Sequence, residues 1–359
     1  MAAKRAVTGR AFLATERAAN NLSLLRFVAA GAVLFAHSWP IASGKAAVDP
    51  ATTALSSIFG PKAAVSALAV HAFFVISGYL VAKSAVMRAD LNEYIWARIL
   101  RIYPALIVNV LLTAFVLGQY VSNMPYTEYL ASGRLWGFVG NNILSWNATY
   151  VLPGVFSTNP LDAVNGSLWT LPLEIRCYVA VGALLAIGVL RRTTLFSALA
   201  AALLLFDSLF RDISVLGDEP VAACFDYFLI GALFFANRRF IPASPIAAIG
   251  LLAVSALIAY QPAARLAAMT GYAWLILWVG LAAPRAPWLE RWIGDPSYGV
   301  YIYAFPIQQL IVFHIGQGAP WKVFVMAGAA TLLAGILSWR IIEDPALAHK
   351  KVVANTVRA

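Results

Sequence analysis

Ten apolar stretches, each about long enough to cross a bilayer, constrain this chain more than anything else in it. They run over 22–40, 63–83, 102–121, 168–190, 193–210, 221–237, 241–260, 265–283, 297–316 and 320–340. A helix needs about 20 apolar residues to cross the hydrocarbon core. Inside that core every backbone N–H and C=O must be paired within the protein, which leaves helices as the economical solution for such runs. The chain is 61% hydrophobic and 12% charged, where a soluble domain carries about 25% charged residues. The expected fold is all-α: a polytopic transmembrane helix bundle of about ten spans.

Charge orients the bundle. With the N-terminus in the cytoplasm, Lys and Arg fall on cytoplasmic segments about three times as often as outside, as the positive-inside rule requires. Both termini are therefore expected inside. The expected organisation is a cytoplasmic tail at 1–21, a membrane domain at 22–340 with an external loop at about 122–167, and a cytoplasmic tail at 341–359. The net charge of +10 is explained by these retained cations, so no nucleic-acid partner is expected. No cleavable signal peptide is expected either, because the first apolar run is long enough to span and lacks a small-residue cleavage site. Cys177 and Cys224 fall within spans and read as packing thiols rather than a disulfide.

The polar residues inside the spans are the candidates for chemistry, because ionisable groups in hydrocarbon are costly. Arg26 and His37 lie eleven residues apart in the first stretch, which puts them on about the same helical face. A neutral imidazole can take a proton near pH 7, so His37 suits a general base. Arg26, toward the cytoplasmic end, suits an anionic group entering from that side, or lipid headgroups. Arg98 and Arg101 are three apart at the start of the third span, on one face. Their spacing matches phosphate oxygens, and equally a positive-inside anchor. Ser167, Thr170, Glu174 and Tyr178 make a polar stripe on the fourth stretch, and Pro172 opens the backbone there. Glu174 could orient His37 or hold an acceptor hydroxyl. His71, Asp226 and His314 are further intramembrane polar residues. Tyr298, Tyr301, Phe305 and Gln308 or Gln309 form an aromatic and amide stripe on the ninth stretch. The external segment holds Trp136, Trp146 and Tyr150, which suit either sugar faces or an interfacial belt. There is no phosphate-binding Gly-rich loop, nucleophile elbow or Cys/His metal spacing, and no metal is expected.

Several of these motifs, taken in order, resemble the bacterial membrane acyltransferase 3 family. They are Arg26-x10-His37, Phe73-Phe-Val-Ile-Ser-Gly-Tyr79, Arg98-x-x-Arg101-Ile-Tyr-Pro, Ser167-Leu-Trp-Thr-Leu-x-x-Glu174, Ser297-Tyr-Gly-Val-Tyr and Glu343-x-Pro345. The resemblance covers about 21–350. It implies O-acylation: transfer of an acyl group, usually acetyl, from cytoplasmic acyl-CoA to a hydroxyl of an envelope polysaccharide or glycolipid. It implies His37 and Glu174 as catalytic residues, and Arg26, Arg98 and Arg101 as the arms that hold acetyl-CoA. His71, Asp226, Tyr301 and Trp169 are the expected acceptor-binding residues. The implied location is the bacterial inner membrane, with polysaccharide-assembly partners or a second copy as companions. Many members carry a His after the Tyr-x-Tyr of the ninth span, where this chain has Ala304. Some also carry an extracytoplasmic hydrolase-like domain, so a second step here is expected to need another protein. The reading from another class is a glycolipid transporter or flippase, which also needs a polar midplane site.

Overall fold

The computed structural model describes residues 11–15, 20–59, 63–88, 90–210, 219–258, 261–284 and 292–349. Most of the two expected tails, including 1–10 and 350–359, lies outside them. Among the described residues every extended element is a helix, and β pairing is limited to an isolated bridge between Ala11 and Pro242.

The helices are α1 Leu22–Ser43, α2 Pro50–Phe59, α3 Val65–Arg88, α4 Leu91–Leu111, α5 Tyr126–Ala131 and α6 Gly133–Leu144. They continue with α7 Thr170–Ala186, α8 Thr193–Leu209, α9 Glu219–Ala236, α10 Pro245–Leu257, α11 Pro262–Leu281, α12 Ser297–Ile315 and α13 Pro320–Ser338. A short turn, Phe12–Thr15, precedes them. Each of the ten apolar stretches lies largely on a helix. Six helical segments are long and apolar enough to cross a membrane: Leu22–Ser43, Val65–Arg88, Leu91–Val121, Gly166–Ala186, Ala263–Leu281 and Pro320–His349. Thr193–Leu209, Pro220–Ala236 and Pro245–Leu257 are apolar but shorter. At 1.5 Å per residue they fall short of the roughly 30 Å core. The chain is a multi-pass helical membrane protein.

Local chemistry sets the boundaries. Asp90 accepts from the Glu93 backbone N–H at 2.8 Å, capping α4, which starts eleven residues before the apolar run begins. Arg98 and Arg101 therefore sit two to three turns inside this helix, just before the apolar run. Ser244 caps α10, and prolines open α10, α11 and α13 in their first turn, where the missing N–H costs nothing. Past α13 a wide turn, Trp339–Glu343, carries the helical path on to His349.

The chain divides into two compact units. The first comprises Met1–Leu25, Val70–Tyr94 and Cys177–Arg291. Its helices α3 and α9 approach closely: a Cβ on Gly78 would collide with the Phe228 carbonyl, and one on Gly231 with the Val75 carbonyl. Small residues of this kind let helices pack where lipid offers no hydrophobic drive. Arg265 of α11 pairs with Asp207 of α8 at 3.1 Å and Asp226 of α9 at 2.7 Å. Arg265 lies within α11, so these pairs join three helices. Cys177 and Cys224 are free and buried.

The second unit comprises Arg26–Ala69, Ile95–Arg176 and Trp292–Ala359. Its α12 and α13 meet backbone to backbone, with Gly299 against Gly335. Ile41, Ala42, Phe305, Val312 and Val323 form an apolar cluster joining α1, α12 and α13.

Candidate active site

The second unit gathers most of the motif residues at two places. The first is a charge cluster. Gly294 adopts φ +73, and a Cβ there would run into the Trp339 indole, so only glycine fits the turn that delivers Asp295. Arg26 donates to Asp295 Oδ2 at 2.5 Å, and Arg101 donates to the same oxygen at 3.3 Å. Arg101 also pairs with Glu343 at 3.6 Å. Hydroxyls complete the carboxylates: Ser297 Oγ donates to Asp295 Oδ1 at 2.6 Å, and Ser338 Oγ to Glu343 Oε1 at 3.0 Å. The Arg101 guanidinium lies 5.9 Å from the Tyr298 ring centroid, and Tyr298 donates its hydroxyl hydrogen to the Ile102 carbonyl. Burial pushes the Asp295 carboxyl up, but Arg26, Arg101 and the Ser297 hydroxyl pull it down further. It sits below the usual aspartate range. Asp295 and Glu343 were not singled out from the sequence as site residues. Glu343 appeared only as part of a terminal motif, and Asp295 precedes the Ser297 motif by two positions.

The second place surrounds His37. Its ring packs edge-on against Phe305, centroids 5.5 Å apart. His37 is half-buried, and its Nδ1 is shielded with no hydrogen-bond partner. Phe305 also touches Gly166, where a Cβ would come within 2.7 Å of its ring. One turn earlier on α12, the Tyr301 hydroxyl is 2.8 Å from Thr170 Oγ1 and donates to the Ser167 carbonyl at 3.1 Å. The face of α12 that carries Tyr301 and Phe305 therefore joins the His37 turn of α1 to the polar start of α7.

Proline explains why α12 can be held so firmly. Pro306 lacks an N–H, which frees the Ile302 carbonyl one turn back. Two amides take it: Asn109 Nδ2 at 3.1 Å and Asn165 Nδ2 at 2.9 Å. Gln309 donates to the Leu161 and Ala163 carbonyls at 2.9 and 2.6 Å, and Asn159 donates back to Gln309. These bonds strap 159–165 onto α12. Gln308 donates to the Leu34 carbonyl at 2.7 Å and to Ser38 Oγ at 2.8 Å, gripping the turn of α1 that bears His37.

The remaining expected residues separate. Arg98 lies one turn before Arg101 on α4, and Glu174 and Trp169 are half-buried at the start of α7. Arg176 donates to the Trp146 carbonyl at 3.0 Å and stacks on that indole. His314 lies beside Tyr120. His71 and Asp226 belong to the first unit. His71 stacks on Tyr227 at 4.2 Å, and Asp226 is bound by Arg265. Among the described residues no group of three or more His, Cys, Asp or Glu side chains could hold a metal ion.

A family model, the acyltransferase domain, matches residues 20–340. The chain is 30% identical over 345 residues to an O-acetyl transferase of Shigella phage Sf6, covering 90% of this chain and 95% of that protein. It is 27% identical over 366 residues to nodulation protein 10 of Rhizobium leguminosarum bv. viciae, covering 91% and 93%. It is 25% identical over 326 residues to the peptidoglycan O-acetyltransferase OatA of Listeria monocytogenes serovar 1/2a, covering 77% of this chain and 51% of OatA. No solved structure matches it.

Proposed function

The chain belongs to the acyltransferase domain family, and on that premise we propose that it moves an acetyl group from cytoplasmic acetyl-CoA to a hydroxyl of an envelope glycan or glycolipid outside. Family and relatives support membrane O-acyl transfer rather than transport. The observation that carries the finer reading is the meeting of motifs distant in sequence on α12. Arg26 and Arg101 contact Asp295 just before it, while His37, Gly166 and Thr170 contact Phe305 and Tyr301 along it.

Ten spans with both termini in the cytoplasm accommodate these contacts. Odd spans then start at the cytoplasmic face and even spans end there. The charge cluster joins the early parts of the first, third and ninth spans to the end of the tenth, as one membrane face requires. The His37 assembly joins the later part of the first span, the start of the fourth and the middle of the ninth, toward the opposite face. In this reading the loop at 122–167 is outside and the membrane is the bacterial inner one.

The donor enters beside the arginines, and Arg98 and Arg101 receive its phosphates as bidentate partners. Asp295 and Glu343 hold Arg101 in direction, and Arg26 shares Asp295 with it. His37 takes the proton of the acceptor hydroxyl as its oxygen attacks the thioester carbonyl. The carbon–sulfur bond then breaks, and the imidazolium returns the proton to the leaving thiolate. Glu174 balances the imidazolium charge, and Trp169 and Tyr301 border the acceptor. His71 and Asp226 stay candidates for acceptor binding, although Asp226 has a structural duty toward Arg265.

The test uses purified protein in lipid with labelled acetyl-CoA and a hydroxyl acceptor. Arg98→Ala/Arg101→Ala should raise the KM for acetyl-CoA by about tenfold or more, since each charge-assisted contact is worth about 1.5–3 kcal/mol. An unchanged donor KM in that variant rules out the phosphate role.

A further inference from the structure

Gln308 is wholly buried in α12, and chemistry fixes the orientation of its amide. The Leu34 carbonyl can only accept, so the amide nitrogen must face it. Ser38 Oγ spends its one hydrogen on the same carbonyl at 3.0 Å, so it too accepts from Gln308. With both N–H groups committed, Oε1 points elsewhere, shielded from solvent and without a donor. An orphaned polar group of this kind costs about 1–3 kcal/mol.

His37 lies between Leu34 and Ser38 on the gripped turn of α1, and its Nδ1 is the other buried atom there without a partner. Its ring rests on Phe305, which is three residues before Gln308 and on the same face of α12. The two do not bond to one another in this structure, but they are complementary in one tautomer, and a turn of the His37 ring would join them: with the ring hydrogen on Nδ1, His37 has a donor and Gln308 has the acceptor.

We propose that Gln308 is a positioning residue for His37, its Oε1 accepting the Nδ1 hydrogen and so leaving the Nε2 lone pair to receive the acceptor's proton. The proposal rests on His37 being the base. The opposite tautomer presents an N–H at Nε2, which cannot accept a proton. An amide suits the task in an apolar interior: it selects the tautomer without the charge of a carboxylate, and it still accepts from the imidazolium formed during transfer.

The experiment combines nitrogen NMR of histidine-labelled, full-length protein in lipid nanodiscs with steady-state transfer kinetics. The His37 signals are assigned by their loss in His37→Gln. The wild type should show a neutral ring with hydrogen on Nδ1. Gln308→Met should shift His37 toward the Nε2–H form. Its kcat should fall about tenfold to a hundredfold, a cost typical of misplaced catalytic groups, with the acetyl-CoA KM within about twofold. Ser38→Ala removes a partner of the amide nitrogen and leaves Oε1, so tautomer and kcat should stay near wild type. Gln308→Glu keeps an acceptor oxygen on the same stem. It gives up both donors to α1 but should keep a hydrogen on Nδ1, as imidazolium or as the neutral Nδ1–H ring, and it reads that nitrogen even where Gln308→Met does not fold. The wild-type tautomer in Gln308→Met, a mixed tautomer in Gln308→Glu, or a full loss of kcat in Ser38→Ala would each overturn the proposal. Transfer that survives His37→Ala removes the base assignment instead, and the NMR shift in Gln308→Met remains a separate readout of the contact.

Discussion

The two units handle buried charge in opposite ways. In the first, one guanidinium, Arg265, serves two carboxylates that are 0% and 2% exposed, and the three residues come from three helices. In the second, Arg26 and Arg101 share Asp295, and Arg101 adds Glu343, with Arg98 one turn away. The first arrangement acts as a joint that fixes helices to one another. The second gathers two arginines on two carboxylates with a third arginine on the same helix, which suits a place where an anionic donor arrives. An ion pair in a membrane protein is therefore no sign of a site by itself.

Variants in each unit can break this contrast. Arg265→Met removes the guanidinium that Asp207 and Asp226 share and should cost about 3–5 kcal/mol, read as a lower melting temperature in detergent. The protein that remains folded should keep its acetyl-CoA KM. A changed KM with unchanged stability would bring the first cluster into donor binding and erase the distinction. Asp295→Asn keeps the shape and an acceptor for Ser297 but removes the charge shared by Arg26 and Arg101. Its stability loss should be smaller, about 1–3 kcal/mol, while transfer falls by about tenfold or more. Stability loss with full transfer would make this cluster another joint.

The smallest expected effect is a pH dependence. Asp295 is held below the usual aspartate range. A carboxyl whose folded value is depressed contributes stability that is fully present above its unfolded value of about 3.9, and loses it as pH falls through the folded value. The stability gap between wild type and Asp295→Asn should therefore close below about pH 4, apart from a separate change near neutrality where Glu343, pushed up to about 7 mainly by burial and raised further by the Asp295 charge, titrates. A gap that stays unchanged as the pH falls below about 4 would mean that Arg26 and Arg101 do not hold this carboxylate.

Much of the fold was legible because apolar length and helical period are local properties. All ten stretches lie on helices, and the stripe Tyr301, Phe305 and Gln308 on the ninth is the face that meets α1 and α7. The extent of α4 was hidden because Leu91–Leu100 mixes charged and apolar residues, so hydropathy misses a start that the Asp90 cap makes plain. Partners were hidden for another reason. Arg26 and Asp295 are 269 residues apart, and no periodicity joins residues on helices that meet only in the folded bundle. Asp226 shows the same limit: alone it read as a candidate acceptor contact, and only the fold supplies Arg265. Pro306 could have pointed to the Ile302 carbonyl, but not to Asn109 and Asn165 as the groups that take it.

The most direct test of the account is acetyl transfer by His37→Ala in lipid, with labelled acetyl-CoA and an envelope glycan, beside wild type matched for folding. General-base catalysis is worth about a hundredfold to ten-thousandfold. The account predicts a loss of that order with acetyl-CoA still bound. Transfer at the wild-type rate would contradict it.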